Sequence, residues 1–303
     1  LILLSIIFSF TIISCAKKSD TSSTSTTSSP SHVAVGSSGT IITSSDGTTW
    51  TSMTSGTTEN LYGVTYANST FVTVSGTPSG TILTSSDGST WTSRTSAMVP
   101  LQEVTYGNST FVIVGSNNIF TSPDGTTWTS RTSGTSNGLY GVTYGNNTFV
   151  ISGSSGTILT SSDGTSWDNK TSGTTEQLSG VTYGNSTYVI VGNSGTILTS
   201  SDNGTSWDNK TSGTTVNLYE VTYGNNIFVS VGQSGTILTS PDGTTWTSRT
   251  SGTSNSLVGV TYGNGLFVTV GDKGTILTSS DGTTWTERTS GTSRYLYGVT
   301  YSQ

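Results

Sequence analysis

The sequence predicts an all-β protein, a seven-bladed β-propeller made of four-stranded antiparallel blades. Three observations predict this fold: a unit that repeats about every 40 residues, four strand-like runs within each unit, and chain ends that complement each other. The repeat is clearest in the tryptophans, which are 37 to 41 residues apart: Trp50, Trp91, Trp128, Trp167, Trp207, Trp246 and Trp285. Units of this length with four strands each are typical of propeller blades.

The unit at 218–250 illustrates the four runs. The first run is LYEVTY (218–223), the second is IFVSVG (227–232), the third is TILTS (236–240) and the fourth is TWTSRT (245–250). Between the third and fourth runs lies Asp242-Gly243, a pair that tolerates the positive φ of a tight hairpin. No segment has helical periodicity, so we expect strands and turns throughout.

The two ends of the repeat region supply different parts of one blade. HVAVG (32–36) matches a second strand, and LYGVTYSQ (296–303) matches a first strand. Joined, they predict a blade that combines the C-terminal strand with three N-terminal strands and closes the ring, which removes open sheet edges. The alternative is that the chain is truncated at its C-terminus and the match of the two ends is accidental.

The composition argues against several classes of function. The 303 residues carry a net charge of −6 with only 10 Lys and Arg, too few for the basic surface that binds nucleic acid. There is one cysteine and one histidine, so a disulfide framework, a Ser-His-Asp site or a metal site built on His and Cys lacks its residues. We therefore expect no metal, no cofactor, no nucleic-acid partner and a monomer.

The N-terminus has the features of a targeting segment. Residues 1–14 are an apolar run of signal-peptide length that ends directly before Cys15. Ile12-Ile13-Ser14-Cys15 resembles the lipobox of bacterial lipoproteins, which implies a lipidated Cys15 and a membrane partner through the lipid anchor. An ordinary secretory signal is the alternative. The expected organisation is a signal with its lipobox cysteine (1–15), a Ser/Thr-rich tether (16–32) and the propeller (33–303), anchored at the bacterial outer membrane or cell surface.

The turn between the third and fourth runs resembles the Asp-box of sialidase-like propellers, whose pattern is Ser-x-Asp-x-Gly-x-Thr-Trp. Residues 200–207 fit it with Ser in place of Thr, whereas the other six units lack the residue between Asp and Gly. The resemblance implies that the Asp binds backbone N–H groups of the turn and that the Trp packs between blades. The seven aspartates are Asp46, Asp87, Asp124, Asp163, Asp202, Asp242 and Asp281. Sevenfold recurrence favours a structural role for them and for the seven tryptophans.

The fourth run carries a repeated cation in six of the seven units. These cations are Arg94, Arg131, Lys170, Lys210, Arg249 and Arg288. One charge on each outer strand protects an exposed sheet edge against strand addition. A basic ring for anionic lipid or glycan is the alternative, and the acidic net charge argues against it.

In Asp-box propellers ligands bind at the face formed by the loops that enter the first strand and those that join the second to the third. By this resemblance the candidate ligand-binding residues are Glu59, Asn60, Asn137, Glu176, Gln177, Asn217, Asn255, Asp272, Lys273, Arg294 and Tyr295. The loops are short and polar, so we expect a shallow face.

The inner strand holds one further variation. A glycine recurs in five units, but Glu103 and Glu220 replace it in the other two, three blades apart in a ring of seven. The pair could bind a cation or act as general acid and base. The interpretation we favour is two solvated charges that line a wet channel.

The residues predict no catalytic site. A sialidase needs an arginine triad on the central face, and only Arg294 of this chain lies near that face. Photosystem II assembly factors are also similar seven-bladed propellers, but their basic patch is absent here. Our hypothesis is a non-enzymatic, surface-anchored propeller that binds a protein or carbohydrate through its loop face. The alternatives are a glycoside hydrolase or lyase that uses the channel carboxylates, and a scaffold for assembly of a membrane complex.

Overall fold

The structure is a computed structural model that describes residues 31–76, 79–94 and 97–302. The described residues form seven antiparallel sheets of four strands each. We number the blades 1 to 7, where blade 1 contains β28 and β1–β3 and each following blade contains the next four strands. The predicted seven-bladed propeller is therefore confirmed.

The innermost strands of neighbouring blades contact each other and surround a central channel. They are β4 (Leu61–Ala67), β8 (Glu103–Gly107), β12 (Leu139–Gly145), β16 (Leu178–Gly184), β20 (Leu218–Gly224), β24 (Leu257–Gly263) and β28 (Leu296–Tyr301). The second strands are β1 (His32–Gly36), β5 (Thr70–Ser75), β9 (Thr110–Gly115), β13 (Thr148–Gly153), β17 (Thr187–Gly192), β21 (Ile227–Gly232) and β25 (Leu266–Gly271).

The third strands are β2 (Ile41–Ser44), β6 (Ile82–Ser85), β10 (Asn118–Ser122), β14 (Ile158–Ser161), β18 (Ile197–Ser200), β22 (Ile237–Ser240) and β26 (Ile276–Ser279). The outermost strands are β3 (Thr51–Met53), β7 (Thr92–Ser93), β11 (Thr129–Arg131), β15 (Asp168–Lys170), β19 (Asp208–Lys210), β23 (Thr247–Arg249) and β27 (Thr286–Arg288). Five one-turn 3₁₀ helices join second to third strands: Ser37–Gly39, Ser154–Gly156, Asn193–Gly195, Gln233–Gly235 and Asp272–Gly274. Each has only three residues, which is too short to give the sequence a helical periodicity.

Burial explains why the strands differ in composition. The second and third strands lie inside the blade with neighbours on both faces, and almost every residue in them is buried. Continuous apolar runs such as IFVSV therefore suit these positions better than alternating ones. The outermost strands are short and largely exposed, which accounts for their polar composition.

Blade 1 closes the ring as the chain ends predicted. Strand β28 pairs with β1 in the register His32–Tyr301 and Ala34–Val299. The Ser302 N–H also donates to the Ser31 carbonyl at 2.7 Å. The propeller therefore includes residues 31 and 32, which the sequence interpretation had assigned to the tether.

The hydrophobic core lies between blades. One cluster joins Val33, Val35 and Ile41 of blade 1 with Leu61 and Phe71 of blade 2. The tryptophan of blade 2 packs against this same cluster, and the six other tryptophans occupy equivalent places between neighbouring blades. The seven tryptophans therefore add to the hydrophobic contacts between neighbouring blades.

The cations of the outermost strands are held by their own sheets. The Arg94 Nε donates to Thr84 Oγ1 at 2.7 Å, and Arg131, Arg249 and Arg288 make the same bond to the threonine of their third strand. Lys170 and Lys210 instead pair with the aspartate two residues earlier. These groups lie at the outer edge of each blade, where the repeat pattern predicted them.

Candidate functional site

The two faces of the propeller are built from different connections. The turns between first and second strands and the Asp turns between third and fourth strands lie on one face. The connections from second to third strands and from each blade to the next lie on the other, which we call the loop face. In blade 1 the Ser37 N–H donates to the Tyr295 carbonyl at 2.8 Å and the Gly39 N–H donates to the Glu59 carbonyl at 2.6 Å. The turn of blade 1 therefore holds the loops on both of its sides, and the turn of blade 4 makes the equivalent bonds to the carbonyls of Gly138 and Glu176.

The loop face contains all eleven candidate ligand-binding residues, but most of their asparagines hold the loops together. Asn60 Oδ1 accepts the Ser38 N–H at 3.0 Å and Asn217 Oδ1 accepts the Ser194 N–H at 3.1 Å. Asn137 and Asn255 donate through Nδ2 to the threonine that follows the neighbouring 3₁₀ helix, at 2.8 and 2.9 Å. Because these amides already have partners in the protein, they are less suited to a ligand than the sequence indicated.

Two carboxylates of this face also have internal partners. Glu59 accepts hydrogen bonds from the hydroxyls of Ser75 and Ser79. Partial burial opposes ionisation of Glu59, but these bonds outweigh it and lower the pKa of its carboxyl. Glu176 accepts a longer bond from Ser194 Oγ at 3.4 Å. Glu59 is therefore an ionised group that fixes the loops of blade 2.

Among the candidate residues, an exposed pair lies where blade 7 meets blade 1. Tyr295 is 48% exposed, and Arg294 beside it is also exposed. Asp272 and Lys273 form the nearby turn of blade 7, where Lys273 has a left-handed φ of 56°. Gln177 is half-buried between blades 4 and 5. Arg294, Tyr295, Asp272 and Lys273 thus remain as candidates for ligand contact.

A group of tyrosines that the sequence analysis missed lies at the channel entrance on the loop face. They are the second residues of four inner strands: Tyr62, Tyr140, Tyr219 and Tyr297. Tyr62 and Tyr297 have ring centroids 4.9 Å apart. Burial raises the pKa of Tyr219 and Tyr297, and the Asp272 carboxylate raises it further. We call these four residues, with Tyr295 and Asp272, the tyrosine mouth. The sequence could have identified these tyrosines by their variation. Their repeat position holds Tyr, Gln, Ser or Val, whereas the position before it is Leu in all seven units.

Behind the tyrosine mouth lies a cavity of about 240 Å³ in the central channel. Glu103 and Glu220 line it together with threonines and valines of the inner strands. Each carboxylate accepts the backbone N–H of the following residue at 2.9 Å. Among the described residues neither glutamate has an ion pair with Lys or Arg.

The pKa values of these two glutamates differ from those of exposed glutamates. Burial raises the pKa of Glu103 to about 7, partly offset by the bond from the Val104 N–H. The pKa of Glu220 is also well above its usual range because of burial first and the Glu103 carboxylate second. Burial in the cavity favours the neutral form of both carboxyl groups over the ionised form that open water would favour. Both groups therefore hold protons at higher pH than ordinary surface glutamates.

The Asp turns lie on the opposite face, where each aspartate accepts hydrogen bonds within its own turn. Asp46 Oδ1 accepts the N–H groups of Thr48 and Thr49, both at 2.8 Å, and the other six aspartates bind their turns in related ways. These bonds hold the pKa of the Asp46 carboxyl well below its usual range. In blade 5 the additional residue Asn203 reaches blade 4, where its Nδ2 donates to Thr148 Oγ1 at 2.6 Å.

Two kinds of feature are absent from the described residues. They contain no group of three or more His, Cys, Asp and Glu side chains placed to hold a metal ion. They also contain no helix with the length and apolar character needed to span a bilayer. Cys15, the predicted lipidation site, lies outside the described residues.

Comparison with known proteins places the chain among propellers. A family model described as the DUF6242 beta propeller domain matches residues 174–293, which is less than half of the chain. A search of curated proteins finds no match.

Three solved structures share the fold at low sequence identity. YCF48 bound to D1 peptide has a TM-score of 0.66 and 18% identity over 82% of this chain and 88% of that chain. YCF48 from Cyanidioschyzon merolae has a TM-score of 0.63 and 17% identity over 81% and 90% of the two chains. The computationally designed Ika8 protein has a TM-score of 0.63 and 12% identity over 91% and 92%. At these identities the likeness concerns the fold alone.

Proposed function

We propose that this protein is a non-enzymatic binding propeller that holds an extended segment of a partner protein at the tyrosine mouth. The observation that carries the proposal is the grouping of Tyr62, Tyr140, Tyr219 and Tyr297 around the channel entrance, with the half-exposed Tyr295 beside them. Tyrosines offer large contact area at low cost in side-chain entropy and a hydroxyl that can bond to a peptide backbone.

The structural neighbours support a peptide as ligand. One of them, YCF48, was solved with a D1 peptide bound, so a propeller of this architecture can hold a peptide. The repeated turns, with their Ser, Asp, Gly and Trp in constant order, support assignment to the Asp-box propellers. In that family the loop face is the ligand side, which is where the tyrosine mouth lies.

Surface anchoring is part of the same proposal. The apolar run at 1–14, the lipobox-like Cys15 and the Ser/Thr-rich residues after it would hold the propeller just outside a bacterial membrane. Radiolabelled palmitate fed to cells that express the full-length protein tests this step. Incorporation that Cys15→Ser abolishes supports the anchor, and equal labelling of both proteins contradicts it.

A carbohydrate is the second candidate ligand, because exposed tyrosines flanked by carboxylates and amides can also stack on sugar rings. Hydrolysis is less well supported. Glycosidases place two carboxyl groups on either side of a bound sugar, whereas Glu103 and Glu220 lie within a cavity of about 240 Å³ behind the tyrosine mouth.

Selection from a displayed library of random 12-residue peptides, with the full-length protein as bait, tests the proposed function. We expect enriched peptides whose binding weakens at least tenfold in Tyr295→Ala and in Tyr62→Ala. Thr127→Ala, at an exposed residue of the Asp-turn face, is the matched control and should bind normally. A glycan array is probed in parallel. Binding to glycans alone would replace the peptide with a carbohydrate, and no ligand in either assay would overturn the proposal.

A further inference from the structure

The cavity behind the tyrosine mouth holds two carboxyl groups that no cation in the described part of the chain pairs with. Glu103 and Glu220 both face it, and no Lys, Arg or His is present on any inner strand. The six cations of the outermost strands are held at the outer edge of the ring. The other two cations of the described residues, Lys273 and Arg294, lie on the loop face and do not line the cavity. Carboxylates in a confined site are costly unless they are paired or protonated. The cavity therefore complements a positive charge brought from outside.

The entrance to this cavity also favours a cation. At one part of the mouth the rings of Tyr62 and Tyr297 pack against each other, with centroids 4.9 Å apart. Asp272 is close enough to raise the pKa of Tyr219 and Tyr297. The faces of tyrosine rings attract ammonium and guanidinium groups, more strongly where water is excluded. The aromatic entrance and the acidic cavity are separate features, and both select for positive charge.

The distance between the two features suits a long side chain. On the four inner strands that carry a mouth tyrosine, the tyrosine precedes the Gly or Glu position by one residue, for example Tyr219 and Glu220. One residue of strand rises about 3.3 Å. A lysine, with its ammonium on a four-carbon stem, can pass the rings and place its charge at the carboxylates while its backbone stays on the loop face.

We propose that the tyrosine mouth and the cavity behind it form a socket for one lysine or arginine side chain of the bound partner segment. This inference rests on the proposed function and adds the specificity of the site. The raised pKa of Glu103, about 7, implies that the cation displaces a proton as it binds. Binding should therefore weaken as the pH falls below 7.

The peptide selection described above, repeated with Glu103→Gln/Glu220→Gln, tests the inference. The amide replacements keep the side-chain shape and remove the charge. We expect a fixed Lys or Arg in peptides selected by the native protein and no such preference in those selected by the double variant. Glu287→Gln, which removes an exposed carboxylate from the outermost strand of blade 7, is the matched control and should retain the preference.

Titration calorimetry with the tightest-binding peptide then measures how much the contact between its cationic residue and the two glutamates contributes to affinity. Replacing its cationic residue by methionine should weaken binding at least tenfold in the native protein and less than twofold in the double variant. Peptides that bind the mouth with no cationic preference would overturn the socket and leave the proposed function standing. Failure to enrich any peptide would overturn both. Binding of free spermidine that depends on both glutamates, with no peptide bound, would replace the partner side chain by a small amine.

Discussion

The side chain of Glu103 lies directly over Gly63 of the preceding blade. A Cβ placed on Gly63 would be 2.7 Å from both the Cα and the Oε1 of Glu103. Glu220 has the same relationship to Gly180, where the added Cβ would be 2.5 Å from Oε1 and 2.7 Å from Cα. Each channel glutamate thus depends on a glycine in the blade before it, since only glycine leaves the space.

Gly63→Ala should destabilise the propeller by about 1–3 kcal/mol, as expected for overpacking against rigid backbone. Adding Glu103→Gly should restore only part of this, because the new Cβ would still be 2.8 Å from the Gln102 carbonyl oxygen. Urea unfolding followed by tryptophan fluorescence measures the change. Gly138→Ala is the control, since its Cβ would meet only the side chains of Tyr140 and Ser154 at 3.2 Å or more. Equal effects of the two substitutions would contradict the argument.

His32 makes the closing blade sensitive to acid. It occupies the position where the other blades have Phe or Tyr, is 1% exposed, and its Nε2 has no hydrogen-bond partner among the described residues. Burial lowers the pKa of His32 to about 4, against a smaller opposing effect of Asp46. Because the unfolded chain takes up this proton near pH 6.5, the stability from neutral His32 is complete above pH 6.5. It is lost as the pH falls towards 4, by about 3 kcal/mol.

His32→Phe should therefore remove this part of the acid sensitivity between pH 6.5 and 4. Urea unfolding across that pH range gives the free energy of unfolding of the native protein and of the variant. Glu103 and Glu220 titrate in both proteins, so their effect drops out of the difference between the two. Phe71→His is the matched variant, because it places the same group in the equivalent position of blade 2 and should add acid sensitivity. A native protein and variant with parallel pH profiles would show that His32 keeps an ordinary pKa.

Asp242→Ala should cost about 1–2 kcal/mol, because the N–H groups of Thr244 and Thr245 both lose their acceptor. The turn's bonds lower the pKa of Asp242, so its stabilisation is present above about pH 4 and declines in stronger acid. Thermal unfolding at pH 7 measures the loss. Asp208→Ala is the control, since Asp208 makes only an exposed ion pair with Lys210 and should change stability by less than about 0.5 kcal/mol.

Comparing two tryptophans tests how much the hydrogen bond of the indole N–H contributes to stability. Trp246 Nε1 donates to the Gly243 carbonyl at 2.9 Å, whereas the buried Nε1 of Trp167 has no partner in the part of the chain that the structure describes. Replacement by Phe removes a bond at Trp246 and an unpaired donor at Trp167. We expect Trp246→Phe to be more destabilising than Trp167→Phe by about 1 kcal/mol in chemical unfolding. The reverse order would mean that Trp167 has a partner in solution.

Much of the architecture could be predicted because the same pattern of strands and turns recurs seven times in the sequence. The period, the Asp-Gly turns and the alternation of apolar and polar runs defined blades, and the ends at 32–36 and 296–303 predicted the closing blade. The candidate site was harder to predict. The loop asparagines have the composition of a ligand face, yet Asn60, Asn137, Asn217 and Asn255 bind neighbouring loops. A sequence cannot distinguish an amide that is free from one whose partner lies about 20 residues away.

The sequence by itself determined the strands, the turns and the order of the blades, because these depend on local preferences repeated along the chain. Only the tertiary structure decided what lies at the axis. Tyr62 and Tyr297 are far apart in sequence and stack because the ring closes. Glu103 and Glu220 share one cavity for the same reason, and their ionisation follows from the limited water around them. Closure brings the inner strands of all seven blades to a common axis, so the chemistry of the channel depends on contacts that no single repeat contains.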